Sequence, residues 1–338
     1  MIIIKTENKL CLSCMELHEV QTVICRELEL FKNEEVSFEG QYEYCDRRDT
    51  LLEDDENINL NSLAMKNAYR KKMDLLTSDD IMSIRKIYDI SQKDFAIVLD
   101  WGQATITRYE NYQVQDRAHN DILLRVAKDP RWFLEMLERA KDKLSLKSYN
   151  KYRQNANDEF IEKANELLSD SIRARYAKYQ DSDLCGGVNL DLEKVVEMIN
   201  YLAQNIDSLY TVKLMKTLWY SDVLHYRREG RAISGLVYRK LPMGAVPDGY
   251  KQIIDLDGVR YDEENFGDST ANRFRPSEEF VPRQLSETEI AALDTVISNF
   301  GCMNTNEIVH AMHNEEAYKL TEEKEIISYK HADKLSVT

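Results

Sequence analysis

The sequence is poor in residues that punctuate or cross-link a chain, with 11 glycines, 5 prolines and 6 cysteines in 338 residues. It also lacks long apolar runs. Ile2, Ile3 and Ile4 are followed at once by Lys5 and Glu7, too short a stretch for a secretory leader. No segment approaches the length of a membrane span, so a membrane partner is not expected. Six cysteines in a chain this long do not make a disulfide scaffold, and reduced thiols in a cytoplasmic protein are the simpler reading. A glycine-rich phosphate loop, a His-Glu-x-x-His zinc motif and a nucleophile elbow are all missing. There is no internal repeat and no low-complexity tract. The length allows two or three domains, and an apolar fraction of 43% is enough for real cores.

Acid exceeds base, with 60 Asp plus Glu against 45 Lys plus Arg and a formal charge of −15. Such a balance argues against coating nucleic acid non-specifically. The excess is uneven, because residues 76–147 hold 12 basic and 12 acidic side chains. This neutral segment contains SQKDFAIVLDWGQATITRYENY at 91–112, which reads as a helix-turn-helix. Ser91 can cap the first helix. Phe95, Ala96, Val98 and Leu99 give it an apolar face, with Ala96 small where helices cross. Asp100, Trp101 and Gly102 form the turn, and Asp tolerates the left-handed backbone better than most residues. In the second helix Ile106 points inward and Gln103, Thr107 and Arg108 outward, the polar set a major-groove helix needs. An ordinary helical hairpin with a polar surface is the alternative.

Residues 1 to about 55 read as β-rich, with short alternating patterns at 21–25 and 36–38. Cys11-Leu-Ser-Cys14 has the spacing of a zinc knuckle, and Cys45 follows about thirty residues later. A second pair is incomplete, since Cys45-Asp-Arg-Arg48 has no partner thiol. Cys25, His18, Asp46 or Asp49 could supply the fourth ligand, or the strands could fold without metal. Leu51 to Asn61 reads as an acidic connector, with helical spacing after it. Thr77-Ser-Asp-Asp80 resembles a helix cap with first-turn acids. Further helices follow Tyr112, broken at Asp129-Pro130. Leu144 to about Asp183 is polar and helical, with a narrow stripe of Phe160, Ala164, Leu167, Leu168 and Ile172. That stripe could pair with its twin in a dimer or pack on its own chain. Amphipathic helices follow from Leu192 and Val212, then a glycine- and proline-punctuated stretch at 230–247. An acidic irregular region at 261–282 and helices at 285–300, 305–313 and 322–335 complete the reading.

CLSC at 11–14, YEYC ending at Cys45, LLTSDDI at 75–81 and SQKDFA…TRYENYQVQ occur in one order. Residues 1–145 thereby resemble the MqsA-like antitoxins, which join a zinc ribbon to a helix-turn-helix. The resemblance implies a homodimer on operator DNA, with Gln103, Thr107 and Arg108 toward bases and Gln92 toward phosphate. It implies one Zn²⁺ on Cys11, Cys14 and Cys45, although the missing second cysteine pair departs from the family pattern. YTVKLMKTLWYSDVLHYRREGRAISGLVY at 210–238, GAVPDGY at 244–250, HNEEAYKLT at 313–321 and IISY at 326–329 resemble the SocA-like, or Panacea, phage-associated domain. Ala245 stands where family members usually carry Pro. This resemblance implies binding to a protein toxin.

The expected architecture is mainly α with a small β-rich N-terminal ribbon. It comprises a zinc-ribbon-like domain at 1–55, a connector at 56–75, an Xre-type, lambda-repressor-like helix-turn-helix at 76–146, a helical linker at 147–187 and a toxin-binding domain at 188–332. The expected function is that of a type II antitoxin that neutralises a neighbouring toxin and represses its own operon. Tyr220, Asp222, His225 and Tyr238 are the candidate toxin contacts, although Trp219 beside them fits a core position. Asp222 and His225 share a helix face at i, i+3 and could instead serve a hydrolase, or simply fix helix ends and the glycine loop. Lys213 and Lys216 are expected on a solvated face. A prophage regulator without a toxin is the remaining alternative.

Overall fold

A computed structural model describes residues 1–180, 182–267 and 269–337. The chain divides into two compact units, Met1–Glu162 and Lys163 onward.

The first unit begins with an antiparallel meander of β1 (Ile2–Leu10), β2 (Leu17–Phe31), β3 (Glu34–Cys45) and β4 (Thr50–Leu52). Phe31 pairs with Glu34, so Lys32 and Asn33 alone make the turn. Both have positive φ, 51° and 66°. A two-residue hairpin loop of that kind matches the right-handed twist of its strands.

The helical spacing read after Asn61 belongs to α1 (Asp55–Lys72), which begins earlier, inside the stretch expected as a connector, and docks on β3. Asn61 explains the docking, because its side-chain oxygen accepts the Gln41 N–H at 2.7 Å and its amide donates to the Gln41 carbonyl at 2.9 Å. One side chain thus completes the backbone pairing of a sheet residue. At the far end of α1 the Arg70 side chain is fully buried. It donates to the carbonyls of Tyr109 and Gln113 at 2.6 and 2.8 Å, and to Gln115 and Asn67 at 3.0 and 2.7 Å.

Five helices follow: α2 (Ser78–Ile87), α3 (Gln92–Val98), α4 (Thr105–Asn111), α5 (Arg117–Lys128) and α6 (Pro130–Ala140). Thr77 and Asp80 form the reciprocal capping box at the start of α2. Ser91 accepts the Asp94 N–H at the start of α3, and Asp100 ends that helix region with φ 56°. Pro130 opens α6, where its missing N–H costs no helical bond. Phe95, Ala96, Ile106, Leu123 and Phe133 are fully buried in one core.

The next helix, α7 (Leu146–Tyr176), carries residues of both units. Tyr152 and Ala156 join the core of the first unit, and Leu168 and Ile172 that of the second. Of the expected stripe, Leu168 and Ile172 are packed while Phe160, Ala164 and Leu167 are exposed.

The second unit surrounds α9 (Thr211–Glu229), which follows α8 (Leu192–Asn205). Residues 213–225 of α9 are all buried, as a helix must be when neighbours cover it on every side. Around it lie the hairpin β5 (Tyr238–Leu241) and β6 (Gly244–Pro247), the short α10 (Tyr250–Ile253), the hairpin β7 (Arg260–Phe266) and β8 (Ser269–Arg275), then α11 (Glu287–Phe300), α12 (Thr305–Asn314) and α13 (Glu316–Leu320). Two expectations are corrected. The stretch at 261–282 contains the β7–β8 hairpin rather than irregular chain. The helix expected at 322–335 is confined to a 3-10 segment, Tyr329–Lys334. Upstream of it the chain is extended against β5, where Lys240 N–H donates to Glu325 and Ile327 N–H to Tyr238.

Candidate functional site

In the meander, β2 carries His18, β3 ends on Cys45, and the turn between β1 and β2 holds Cys11 and Cys14. The ligand atoms of these four residues lie within 4.8 Å of one another. Cys11 and Cys45 are fully buried and His18 nearly so. Three thiols and an imidazole are the donor set of structural zinc sites, and the spacing suits a tetrahedral ion. His18 Nε2 faces Cys45 Sγ at 3.7 Å, while its Nδ1 lies 2.9 Å from the Glu19 carbonyl and 3.4 Å from the Asp46 carboxylate. That second contact orients the ring with Nε2 toward the thiols. Burial acts to raise the Cys11 thiol, but donors from Cys14, His18 and Ser13 outweigh it and bring the thiol down to about 6. Burial holds Cys14 above its usual value. Of the four candidates in the sequence, His18 is therefore the one placed where it could supply a fourth ligand. Spacing could not choose among them, because the fourth donor comes from a neighbouring strand.

The helical residues expected to face DNA are accessible to different degrees. Gln103 is exposed, while Gln92, Thr107 and Arg108 are half-buried. Gln92 is held on both sides, donating to Glu110 and accepting the Thr107 hydroxyl at 2.8 Å. Glu110 is itself buried and paired with Arg85 at 2.8 Å. Arg108 folds back on Thr105 at 3.2 Å, and its buried Nε has no partner among the described residues.

The four residues expected at a toxin-binding surface are not on one. Tyr220, Asp222, His225 and Tyr238 are all fully buried. Asp222 accepts from the backbone N–H of Ile233 and Ser234 at 2.8 and 2.9 Å, and from the hydroxyls of Ser234 and Tyr238, both at 2.5 Å. Burial raises its carboxyl against the opposing pull of those donors. His225 Nδ1 meets the Arg231 carbonyl at 2.8 Å, and its Nε2 meets Thr288 at 3.2 Å. Tyr220 donates to buried Glu315 at 3.0 Å. Asp222 and His225 fix the loop after α9 while Tyr220 holds Glu315, so their polar atoms face inward. Lys213 and Lys216 are likewise buried rather than solvated. Among the described residues Lys216 reaches only the Ala245 carbonyl, at 3.2 Å, and burial depresses its ammonium to about 7. Gly244, at φ 108°, leaves room for it, since a Cβ there would lie 2.6 Å from Lys216 Cε.

Trp219 is core, as its neighbours indicated. Sequence reasoning passed over Arg70. It looks like a surface charge in a helical pattern, and only the chain packed against it shows otherwise.

Residues 214–319 match the family described as "Antitoxin SocA-like, Panacea domain". The match runs from α9 into α13 and supports an antitoxin-type role for this region. No curated protein and no solved structure matches the chain. No described helix is long and apolar enough to cross a membrane.

Proposed function

We propose that this protein is the antitoxin of a toxin–antitoxin pair. In this reading the second unit binds and silences a protein toxin, and the first binds operator DNA as a dimer and represses the operon. The similarity of residues 214–319 to the SocA-like antitoxin domain carries the reading. The protein is a binding module rather than an enzyme, which accords with Asp222 and His225 both being engaged by the loop they hold.

For the first unit, α3 and α4 meet at a short turn that itself carries Gln103, with Thr107 and Arg108 on the later helix. That supports major-groove reading, with Arg108 released from Thr105 to reach a base. A dimer on a palindromic operator would place half-sites about one helical turn apart. Zn²⁺ on Cys11, Cys14, His18 and Cys45 would tie the turn after β1 to the end of β3. Toxin and operator then affect each other's binding by the same factor.

The test is induced expression of the adjacent reading frame with and without the full chain. Growth arrest relieved by the chain supports the reading. A harmless neighbour removes it and favours a regulator without a toxin.

A further inference from the structure

The second unit has an open cleft of about 830 Å³ between the start of α9, α10 and the β7–β8 hairpin. Tyr210, Val212, Tyr250, Ile254, Tyr261 and Phe266 line it. Phe266 is 57% exposed, edge-on to Tyr210 with ring centres 5.8 Å apart. The Tyr210 hydroxyl is held by Glu264 at 2.6 Å and that of Tyr261 by Asp255 at 3.0 Å. These rings are fixed at their polar ends and present apolar surface to the cleft. Aromatic side chains held in place in this way dominate protein interfaces, because ordering them costs little entropy.

Tyr250 and Lys251 also line a second cleft of about 430 Å³, so the two form one groove. Asp248 is the one acid among the described residues lining this second part. It accepts from Tyr179 at 2.9 Å and Arg239 at 3.2 Å, and burial resists but does not prevent a lowered carboxyl. Arg175 stands off at 3.7 Å and Lys178 at 4.0 Å. Arg239 is fully engaged, donating also to Lys324 and Tyr179. Arg175 has no hydrogen-bond partner among the described residues, and exposed Lys251 has no ion partner among them. Three cations, Arg175, Lys178 and Arg239, therefore face one carboxylate, and exposed Lys251 lies on the same cleft, in a chain whose net charge is −15.

We propose that this groove is the partner-binding surface of the second unit. Its occupant is an extended protein segment that seats an apolar or aromatic side chain in the aromatic part and carboxylates beside Arg175 and Lys251. The inference rests on the toxin-binding reading and names its surface. Elsewhere the acidic chain repels an acidic partner, so the cationic end sets both encounter and register. Arg175 can grip a carboxylate through two parallel N–H bonds. A nucleic acid fits less well, because Asp255, Glu264 and Glu278 flank the aromatic part, and a polyphosphate carries its charge along its whole length.

The test measures fluorescence anisotropy of the full chain with labelled hexapeptides holding one Trp or Phe between Glu residues. Gln-for-Glu versions and a thymidine oligonucleotide serve as comparison probes. Lys251→Glu and Phe266→Ala alter exposed side chains and should leave the melting temperature unchanged. Arg228→Glu is the control, roughly 25 Å along α9 from Thr211 by helix rise. The expected result is binding of acidic aromatic peptides, weakened tenfold or more by Lys251→Glu and by Phe266→Ala, unchanged by Arg228→Glu, and lost with Gln. Three results overturn the proposal: no peptide binding, binding indifferent to these variants, or oligonucleotide binding that the variants abolish. In the growth assay, rescue by the wild-type chain that both variants preserve also overturns it. If the wild-type chain itself fails to rescue, the antitoxin reading fails, and the peptide result still decides the groove.

Discussion

The Tyr238 hydroxyl donates to the Asp222 carboxylate at 2.5 Å, and both side chains are fully buried. The bond joins the middle of α9 to the first residue of β5, across the loop whose N–H groups Asp222 also accepts. Tyr238→Phe removes one buried hydrogen bond and leaves its acceptor short of a donor, which should cost about 1–3 kcal/mol in urea unfolding. Asp222→Ala strands four donors and should cost more than Tyr238→Phe. Equal stability of wild type and Tyr238→Phe would show that the hydroxyl is dispensable.

The four-residue cluster makes a prediction about metal content. Protein purified without a tag should carry about one zinc per chain. Cys45→Ser and His18→Ala should lower that content, while Cys25→Ser should not, because Cys25 lies outside the cluster. Elemental analysis of the three variants decides it. Full zinc in His18→Ala would exclude His18 as the fourth ligand.

Arg70 is fully buried and holds the carbonyls of Tyr109 in α4 and of Gln113 just after it. Burial lowers its guanidinium to about 10, so it stays charged at neutral pH. Arg70→Ala should destabilise the first unit by about 3 kcal/mol or more. Arg70→Lys should not restore it, since an ammonium cannot reproduce the planar fork. Chemical unfolding followed by circular dichroism measures both variants.

Lys216 gives a pH dependence of known sign. Its folded-state value is about 7 against an ordinary 10.5, because burial disfavours the charged form. Below pH 7 both states are protonated and the folded state carries the whole penalty. Between pH 7 and 10.5 the unfolded chain binds a proton that the folded chain has released, so stability rises with pH. The slope approaches about 1.4 kcal/mol per pH unit for one proton. Lys213, also lowered by burial, adds to the same direction. Lys216→Met should be more stable than wild type at pH 6 and should flatten the rise between pH 7 and 9. Urea midpoints at the two ends of that window test this.

Arg108→Ala should weaken specific operator binding by about 1–3 kcal/mol if the side chain holds a base bidentately. Non-specific binding should change much less. An unchanged operator footprint would remove Arg108 from base recognition.

The sequence by itself determined the local elements whose signals lie within a few residues. The capping box at Thr77–Asp80, the Ser91 cap, the left-handed Asp100 and the break at Pro130 all rest on short-range bonds and backbone sterics. It also determined the three-cysteine part of the N-terminal cluster and the apolar character of α9. Tertiary structure decided which donor completes that cluster, because His18 meets the thiols only through strand pairing. It decided that the helix at 55–72 docks on the sheet, because the Asn61 bonds go to a residue twenty positions away. It turned Lys216, Asp222 and His225 inward, because chain from several distant segments covers every face of α9. Periodicity reports one buried face of a helix and cannot register a helix enclosed on all sides.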